Sequence, residues 1–369
     1  MKKGLTKNDS LAIKGVAILI LMFHHLYCSA DRFEGFDISF APFSQGFVVN
    51  FAFFFKICVS IFAFITGYGL LKSISKNKLN RKDVVAWNTS RLIKTMSGFW
   101  LIYVISFIAT MIINRLPLTV YFKGSALNGI IYTVIDFMGL ANFFGTPTLN
   151  STWWYMSAAI VFILLVPVVY ILSKKVGYLP IVVAIAALPR LLNTGYPGGV
   201  NIYTFILPVI FGMIFADYNL FEKISEKSPK NNVLSYIIHF VIFGGISILG
   251  FFISIKYDRT VAWELNYGVI PVAVICFIRY CIARIPVLKN VLEFLGKHSM
   301  TIFLTHTFIR QNYLKNFVYS KGHFVVIFLV LAALSIALAL VLDYIIKICR
   351  YDSLINKLIK KINFKTEAA

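Results

Sequence analysis

The first apolar segment of the chain decides the class of fold. Residues 11–28 read LAIKGVAILILMFHHLYC, which approaches the roughly 20 apolar residues that a helix needs to cross a bilayer. The segment has no small-residue cleavage site of the kind that ends a secretory signal peptide, so we interpret it as the first membrane-spanning helix. Three ionisable residues interrupt it, namely Lys14, His24 and His25.

The composition of the whole chain also indicates a membrane protein. Of its 369 residues, 59% are hydrophobic and 14% are charged, and the mean hydropathy is +0.79. A soluble fold of this length cannot bury so much apolar surface, because burial saturates as domains grow. The composition therefore excludes a disordered chain, a fibrous protein and an ordinary cytosolic enzyme, and it predicts an all-α polytopic membrane protein.

Basic residues far outnumber acidic ones. The chain has 36 Lys and Arg against 15 Asp and Glu, which gives a net charge of +21. These residues lie between apolar runs rather than on one soluble face, so we expect contacts with membrane lipid and no nucleic-acid partner. The five cysteines show no metal-ligand spacing, and we predict neither a metal nor a permanently bound cofactor.

Eleven apolar runs are candidates for membrane spans. The weakest is 126–142, because it is short and contains Asn128 and Asp136. Cytoplasmic loops are enriched in Lys and Arg. More of the basic residues lie on the cytoplasmic side when 126–142 does not cross the membrane than when it does. We therefore predict about ten transmembrane helices with both termini cytoplasmic, and a re-entrant or interfacial outer segment near 115–151. The runs are 11–28, 47–71, 95–114, 126–142, 152–173, 177–193, 200–216, 233–255, 261–283, 299–315 and 324–346.

The chain has no clear internal boundary. Its loops are short, and neither a low-complexity linker nor a repeat divides it, so residues 1–369 are predicted to form a single integral-membrane domain. Basic and apolar residues alternate in the C-tail, 347–369. This alternation predicts a tail that lies on the inner membrane surface.

Lys14 and His25 are expected on one face of the first helix. Eleven residues make about three turns, and about 1.5 Å per residue separates the two positions by about 16 Å along the axis. A cation near the cytoplasmic end and an imidazole near the outer end suit a reaction across the bilayer, in which a histidine takes a proton from a hydroxyl. His24, about 80° behind this face, is the second catalytic candidate. The alternatives are a Lys14 that snorkels to the headgroups and histidines that are only structural.

Three further cations are candidates for binding an acyl donor. Lys56 lies inside a long apolar run, where it either lines a ligand pathway or packs against a partner. Arg91 and Lys94 open the third predicted helix from the inside, where positive charge suits the phosphates of a donor. The alternative for this pair is anchoring in solvated headgroups.

Two stretches near the predicted outer side are candidates for lining the acceptor site or a cavity. The first contains aromatic residues that either form an interfacial belt or stack on sugar rings. The second contains a mid-span histidine and an arginine one turn later on a similar face of the same helix. The candidates are Trp153, Trp154, Tyr155 and Ser157 in the first stretch and His306 and Arg310 in the second.

These patterns together resemble the membrane-bound acyltransferase family 3, the bacterial glycan O-acyltransferases. Four stretches occur in the family's order and span most of the chain. They match the family's Arg-x10-His, its Phe-rich Ser-Gly-Phe segment followed by Arg-x-x-Arg, its Trp-Ser-Leu-Ser-x-Glu with a later Pro, and its Leu-Gly-x-x-Ser-Tyr-x-x-Tyr-Leu-x-His. Here they read Lys14-x10-His25, FAFITGYGLL followed by Arg91-x-x-Lys94, WWYMSAAIVFILLVP, and FLGKHSMTIFLTH.

The resemblance implies an O-acyltransferase of the bacterial cytoplasmic membrane. Such an enzyme transfers an acyl group, with acetyl our first expectation and succinyl our second, from cytoplasmic acyl-CoA as co-substrate to a hydroxyl of a cell-surface or exported glycan. By this resemblance His25 is the general base, and Lys14, Arg91 and Lys94 serve the acyl donor. Polysaccharide-synthesis proteins are the expected protein partners.

The sequence departs from the family's pattern at three positions. Lys14 replaces Arg and so lacks a bidentate fork, Thr66 replaces the usual Ser, and Ala159 stands where many members have Glu. The role of that Glu is then either absent here or supplied from elsewhere, for which the acidic residues of the first outer loop are candidates. They are Asp31, Glu34 and Asp37.

Two other functions remain open from the sequence. Ten helices with Lys56 and His306 inside them would suit a transporter of a glycan or an anionic solute, although the sequence shows no internal repeat of the kind that many transporters have. Ala159 would also suit a non-catalytic subunit of a polysaccharide synthase.

Overall fold

A computed structural model describes residues 4–76, 79–193, 201–257 and 263–367, with the backbone alone for 363–367. The described part is mainly helical and contains no strand, although an isolated bridge joins Ser39 and His323. Some basic residues counted in the topology prediction lie outside the described residues. They are Lys2, Lys3, Lys78 and Arg259.

The described chain forms eighteen α-helices, with three π-helical turns among them. In the first half they are α1 Lys7–Tyr27, α2 Gln45–Phe54, α3 Ile57–Ile74, α4 Arg81–Asn114, α5 Leu116–Tyr121, α6 Ala126–Phe137, α7 Ala141–Phe144, α8 Trp154–Val176 and α9 Tyr178–Leu191. In the second half they are α10 Ile206–Asp217, α11 Leu220–Lys227, α12 Asn232–His239, α13 Gly245–Lys256, α14 Ile270–Tyr280, α15 Pro286–Thr307, α16 Lys315–Tyr319, α17 Phe324–Ile348 and α18 Tyr351–Glu367. The π-helical turns are Phe240–Gly244, Glu264–Val269 and Phe308–Tyr313.

These helices confirm an all-α polytopic membrane protein. Within the described ranges, seven helical segments are long and apolar enough to cross a membrane, and the pair formed by α10 and α11, bent by 62°, would be an eighth. Of the ten predicted spans, 177–193 corresponds to the shorter α9, and 299–315 lies in α15 and the π-helical turn after it. The number ten and the sides of the two termini stay predictions.

Three short helices, α5, α6 and α7, occupy most of the predicted outer segment, 115–151. α6 has 12 residues, fewer than a span needs. Asp136 at its end is buried and accepts hydrogen bonds from the Tyr121 hydroxyl and from Leu149 N, which hold the segment together. One face of α6 exposes the large apolar residues Leu127, Ile130, Ile131 and Val134. This length and surface suit a helix that lies against lipid, and whether the segment crosses the membrane stays a prediction.

The C-tail forms helix α18, which packs against α4. The hydroxyl of Tyr351 donates a hydrogen bond of 3.0 Å to Ser97 O on α4. Leu354 and Leu358 on α18 are exposed apolar residues. These features suit the predicted place on a membrane surface, and the assignment to the inner surface stays a prediction.

Helix α1 lies at the centre of the fold and holds α15 against it. It starts with a capping box between Thr6 and Asp9, and Asp9 also forms an ion pair of 2.7 Å with Arg279 on α14. Along α1, close approach to α15 depends on two glycines. A methyl group on Gly15 would overlap the backbone of α15, and a methyl group on Gly296 would overlap the Leu11 carbonyl.

We expect Gly296→Ala to destabilise the protein by separating α1 from α15. The added methyl group meets backbone rather than a flexible side chain, and overpacking of this kind costs about 1–3 kcal/mol. A lower midpoint of thermal unfolding of the purified full chain in detergent would show the effect.

Gly69→Ala is the matched control. Gly69 is also helical, but a methyl group there meets nothing within 4 Å, and alanine favours a helix over glycine. The control should therefore unfold no earlier than the wild type. If both variants lowered the midpoint of thermal unfolding equally, close packing of α1 against α15 at Gly296 would not be the cause.

Candidate active site

The packing of α1 against α15 brings two histidines into contact. His25 lies in the last turn of α1, and His306 lies at the end of α15. His25 Nδ1 is 3.0 Å from His306 Nε2. His306 is fully buried, while His25 is partly exposed. The pair joins the first and the fourth of the sequence stretches that resemble the family.

The hydrogen bonds of His306 determine which nitrogen of His25 is free of hydrogen. His306 Nδ1 is 3.0 Å from both Ile302 O and Phe303 O. Because carbonyl oxygens only accept, Nδ1 must carry the hydrogen, and Nε2 of the neutral ring is then an acceptor. His25 Nδ1 therefore donates to it, which leaves a lone pair on His25 Nε2. A histidine held in this tautomer can act as a general base.

On one side of His25 lies a cavity of 330 Å³ that we call the lysine cavity. Lys14 of α1 and Lys94 of α4 line it, together with a larger number of apolar and aromatic side chains. Lys94 is exposed, whereas Lys14 is partly buried. The remaining lining comes from α3, α8 with the turn before it, and α15, and includes Thr66, Trp154, Tyr155, Ala159, Ser299 and Phe303.

On the other side of His25 lies a second cavity, of 420 Å³, that we call the arginine cavity. Its lining is mainly polar and contains three cations and one carboxylate. His25 therefore lines both cavities, and no other residue is common to the two linings. The residues that line the arginine cavity are His25, Asp31, Arg32, Ser151, Arg310, Gln311 and Lys315.

Most of the residues proposed from the sequence meet around these two cavities. Lys14, Lys94, Trp154 and Tyr155 line the lysine cavity with His25, and the helical period had placed Lys14 and His25 on one face. Arg310 lines the arginine cavity. His306 joins the site through its hydrogen bond to His25.

Two of the proposed residues near this site point into packing contacts instead. His24 Nδ1 is bonded to Ala52 O of α2 at 2.8 Å, and its ring is buried. Trp153 is buried and donates a hydrogen bond of 3.0 Å to Leu304 O of α15. Both residues line neither cavity. They hold α1 and the start of α8 in place.

Three more proposed residues also lie outside both cavities. Lys56 lies at the break between α2 and α3, in a run that the sequence suggested would be one helix. Arg91 donates to the Ser73 hydroxyl and stacks on Trp87, with 5.7 Å from its guanidinium carbon to the ring centre. Ser157 is buried and donates to Gly139 O at 2.6 Å.

No carboxylate bonds to His25 or His306 in the described part of the chain. Ala159, where many family members have Glu, lines the lysine cavity, so that wall carries a methyl group instead of an acid. Of the three acids suggested as replacements, Asp31 lines the arginine cavity, and Glu34 and Asp37 line neither. The partner of His25 is thus another histidine.

Several lining residues were missed from the sequence. Arg32, Gln311 and Lys315 in the arginine cavity and Ser299 in the lysine cavity were not among the candidates. Arg32 donates a hydrogen bond of 2.6 Å to His25 O. The position of Lys315 at the end of the predicted run 299–315 was a signal, although snorkelling to the headgroups explains such a lysine equally well.

Comparison with known protein families gives one match. Residues 11–344, nearly the whole chain, match the family described as "Acyltransferase domain", which is acyltransferase family 3. Comparisons with curated proteins and with solved structures find no match. The match supports membrane acyltransferase activity and covers all four stretches that carry the resemblance. Because this match covers more than half of the chain, the chain belongs to acyltransferase family 3.

Proposed function

We propose that this protein transfers an acyl group from cytoplasmic acyl-CoA to a hydroxyl of a cell-surface or exported glycan, with His25 as general base. One observation carries the proposal. His25 lines both the lysine cavity and the arginine cavity, and its bond to His306 leaves Nε2 with a lone pair. A base at such a boundary can reach a hydroxyl on one side and a thioester on the other.

The lysine cavity suits the donor. The pantetheine arm of CoA is thin and mostly uncharged, and the cavity is narrow and largely apolar at 330 Å³. Lys94, which is exposed, and Lys14, about 16 Å from His25 along the helix, supply positive charge for the phosphates outside it. The positive-inside rule predicts that this end of α1 faces the cytoplasm, where acyl-CoA is made.

The arginine cavity suits the acceptor because its lining is mainly polar and shares only His25 with the lysine cavity. A glycan hydroxyl in this cavity can donate its hydrogen to His25 Nε2. Trp154 and Tyr155, suggested for stacking on sugar, line the lysine cavity. We therefore assign them to the wall around the acyl chain and the pantetheine arm.

The proposed reaction is a direct transfer without an acyl-enzyme. The acceptor oxygen attacks the thioester carbonyl carbon while its proton passes to His25 Nε2. The C–O bond forms, the C–S bond breaks, and the CoA thiolate takes the proton from the His25 imidazolium to leave as the thiol. His306 is a positioning residue here, because it accepts from His25 Nδ1 and fixes the ring.

Label transfer in a reconstituted system tests this function. We expect purified full chain in lipid nanodiscs to move radiolabel from [14C-acetyl]-CoA to an oligosaccharide, as an ester that mild alkali cleaves. Succinyl-CoA is the second donor to try. Lys14→Gln should raise the KM for acyl-CoA about 10- to 100-fold, as expected for the loss of one charged hydrogen bond of about 1.5–3 kcal/mol. The KM for the acceptor should stay unchanged.

Lys175→Gln is the control, because Lys175 is exposed and lines neither cavity. It should leave both KM values unchanged. Intact solute that crosses sealed vesicles, with no ester formed, would contradict the enzyme and support a transporter. Protein that binds acyl-CoA without any transfer would instead fit a non-catalytic subunit of a polysaccharide synthase in the bacterial cytoplasmic membrane.

A further inference from the structure

The charge of the arginine cavity is unbalanced. Arg32, Arg310 and Lys315 line it against a single lining carboxylate, Asp31. In the described chain none of the three cations forms an ion pair, and Asp31 accepts a hydrogen bond from Ser29. The cavity therefore holds an excess of positive charge beside His25.

Of the three cations, Arg310 is the one whose burial beside this excess of positive charge is least favourable. Its side chain is 7% exposed and lies in the π-helical turn that follows α15. Its hydrogen-bond partners in the described chain are neutral, although the Asp31 carboxylate is close enough to interact with it electrostatically. Nη2 donates to Gln311 Oε1 at 3.0 Å, and the Tyr319 hydroxyl lies against the guanidinium. Nε has no hydrogen-bond partner. A buried guanidinium without a hydrogen-bonded carboxylate and with an unsatisfied N–H is unfavourable unless an anion completes it.

The other two cations border the same volume from different elements. Arg32, in the turn Ala30–Phe33, is held by its bond to His25 O. Lys315, at the start of α16, is partly exposed, and its ammonium lies 5.7 Å from the centre of the Phe36 ring. Three cations around a cavity of 420 Å³ make a site for an oxyanion, since guanidinium groups match carboxylate and phosphate geometry.

We infer that the acceptor carries a carboxylate or a phosphate next to the hydroxyl that is acylated, and that Arg310, with Arg32 and Lys315, binds this oxyanion in the arginine cavity. The inference rests on the proposed function, because it assigns the arginine cavity to the acceptor. It narrows the acceptor from glycans in general to acidic glycans. The anion would also place the neighbouring hydroxyl against His25, which lines the same cavity.

Three matched acceptors test the inference. The first is a tetrasaccharide that contains glucuronic acid, the second is the same tetrasaccharide with each carboxylate reduced to an alcohol, and the third carries a 6-phosphate in place of each carboxylate. We expect wild-type protein in nanodiscs to acylate at least one charged acceptor with a KM at least tenfold below that of the reduced one. Whichever charged acceptor is preferred identifies the oxyanion.

Arg310→Gln should remove most of this preference. We expect its KM for the charged acceptor to rise at least tenfold, with a smaller change for the reduced acceptor and none for acyl-CoA. Arg310→Lys keeps the charge and should recover part of the loss. Lys321→Gln is the control on a nearby exposed cation that lines neither cavity. Should Arg310→Gln fail to fold, Lys315→Gln, which changes a partly exposed residue, replaces it.

The outcomes separate this inference from the function on which it rests. Equal KM values for the charged and reduced acceptors in the wild type would overturn the inference and leave the acyltransferase intact. No transfer to any acceptor would count against the proposed function. Calorimetric titration of the same oligosaccharides would then test the oxyanion site independently of catalysis. Tighter binding of a charged tetrasaccharide that Arg310→Gln abolishes supports the oxyanion site, and equal binding of all three overturns it.

Discussion

His25→Ala is expected to lower the rate of acyl transfer by about 10³-fold, because a positioned general base contributes about 10²–10⁴-fold. The residue lines both cavities, and its Nε2 is the nitrogen whose lone pair the hydrogen bonds of His306 leave free. The substitution shortens a partly exposed side chain and should leave the protein folded. The measurement is kcat for label transfer in nanodiscs, with the amount of folded protein checked by gel filtration.

His24→Gln is the matched comparison, since it changes the adjacent histidine. The His24 ring is bonded to Ala52 O and lines neither cavity, so its loss should affect stability more than chemistry. We expect kcat of the folded fraction to fall less than about threefold, well below the effect of a lost general base. Wild-type kcat in His25→Ala, or an equal loss in both variants, would contradict the assignment of His25 as the base.

His306→Phe is expected to lower kcat by about 100-fold, the scale of loss that a misplaced reacting group causes. Phenylalanine fills a similar volume but has no acceptor for His25 Nδ1, so the ring can turn and adopt the other tautomer. His306 touches no substrate in this scheme, and its effect acts through His25. The KM for both substrates should therefore change little.

His306→Gln distinguishes positioning from simple packing. The amide oxygen of glutamine can accept a hydrogen bond from His25 Nδ1, so this variant should retain more activity than His306→Phe. The dependence of kcat on pH should also move in His306→Phe, because His25 loses its neighbour at 3.0 Å. Equal activity in the two variants, with an unchanged pH profile, would show that His306 only fills space.

The apolar runs and the charge balance were enough to predict the class of fold. In lipid a backbone must satisfy its own hydrogen bonds, so long apolar segments become helices wherever they lie in the chain. The count of spans was harder to predict. Runs such as 177–193 and 299–315 are apolar enough in the sequence to be candidate spans. In the structure, however, α9 is short, and α15 begins well before residue 299 and carries charged residues such as Lys289 and Glu293. Helix boundaries depend on caps and neighbours that apolar character does not report.

Some of the candidate site was also predictable. Lys14 and His25 share one helix, and helical geometry alone placed them on one face; both line the lysine cavity. The neighbours Trp153 and Trp154 could not be told apart in this way. Trp153 turns away to bond Leu304 O of α15, and Trp154 lines the cavity. That difference depends on how the start of α8 is rotated against α15.

The sequence by itself determined an all-α membrane protein and the face of α1 that carries Lys14 and His25, because lipid and the helical period act on residues close together in the chain. Only the tertiary structure decided that His306, 281 residues from His25, is its partner, and that Arg32 and Arg310 meet beside them. Contacts between distant helices follow from packing, here from Gly15 and Gly296 letting α1 and α15 approach. No periodicity along the chain encodes that approach.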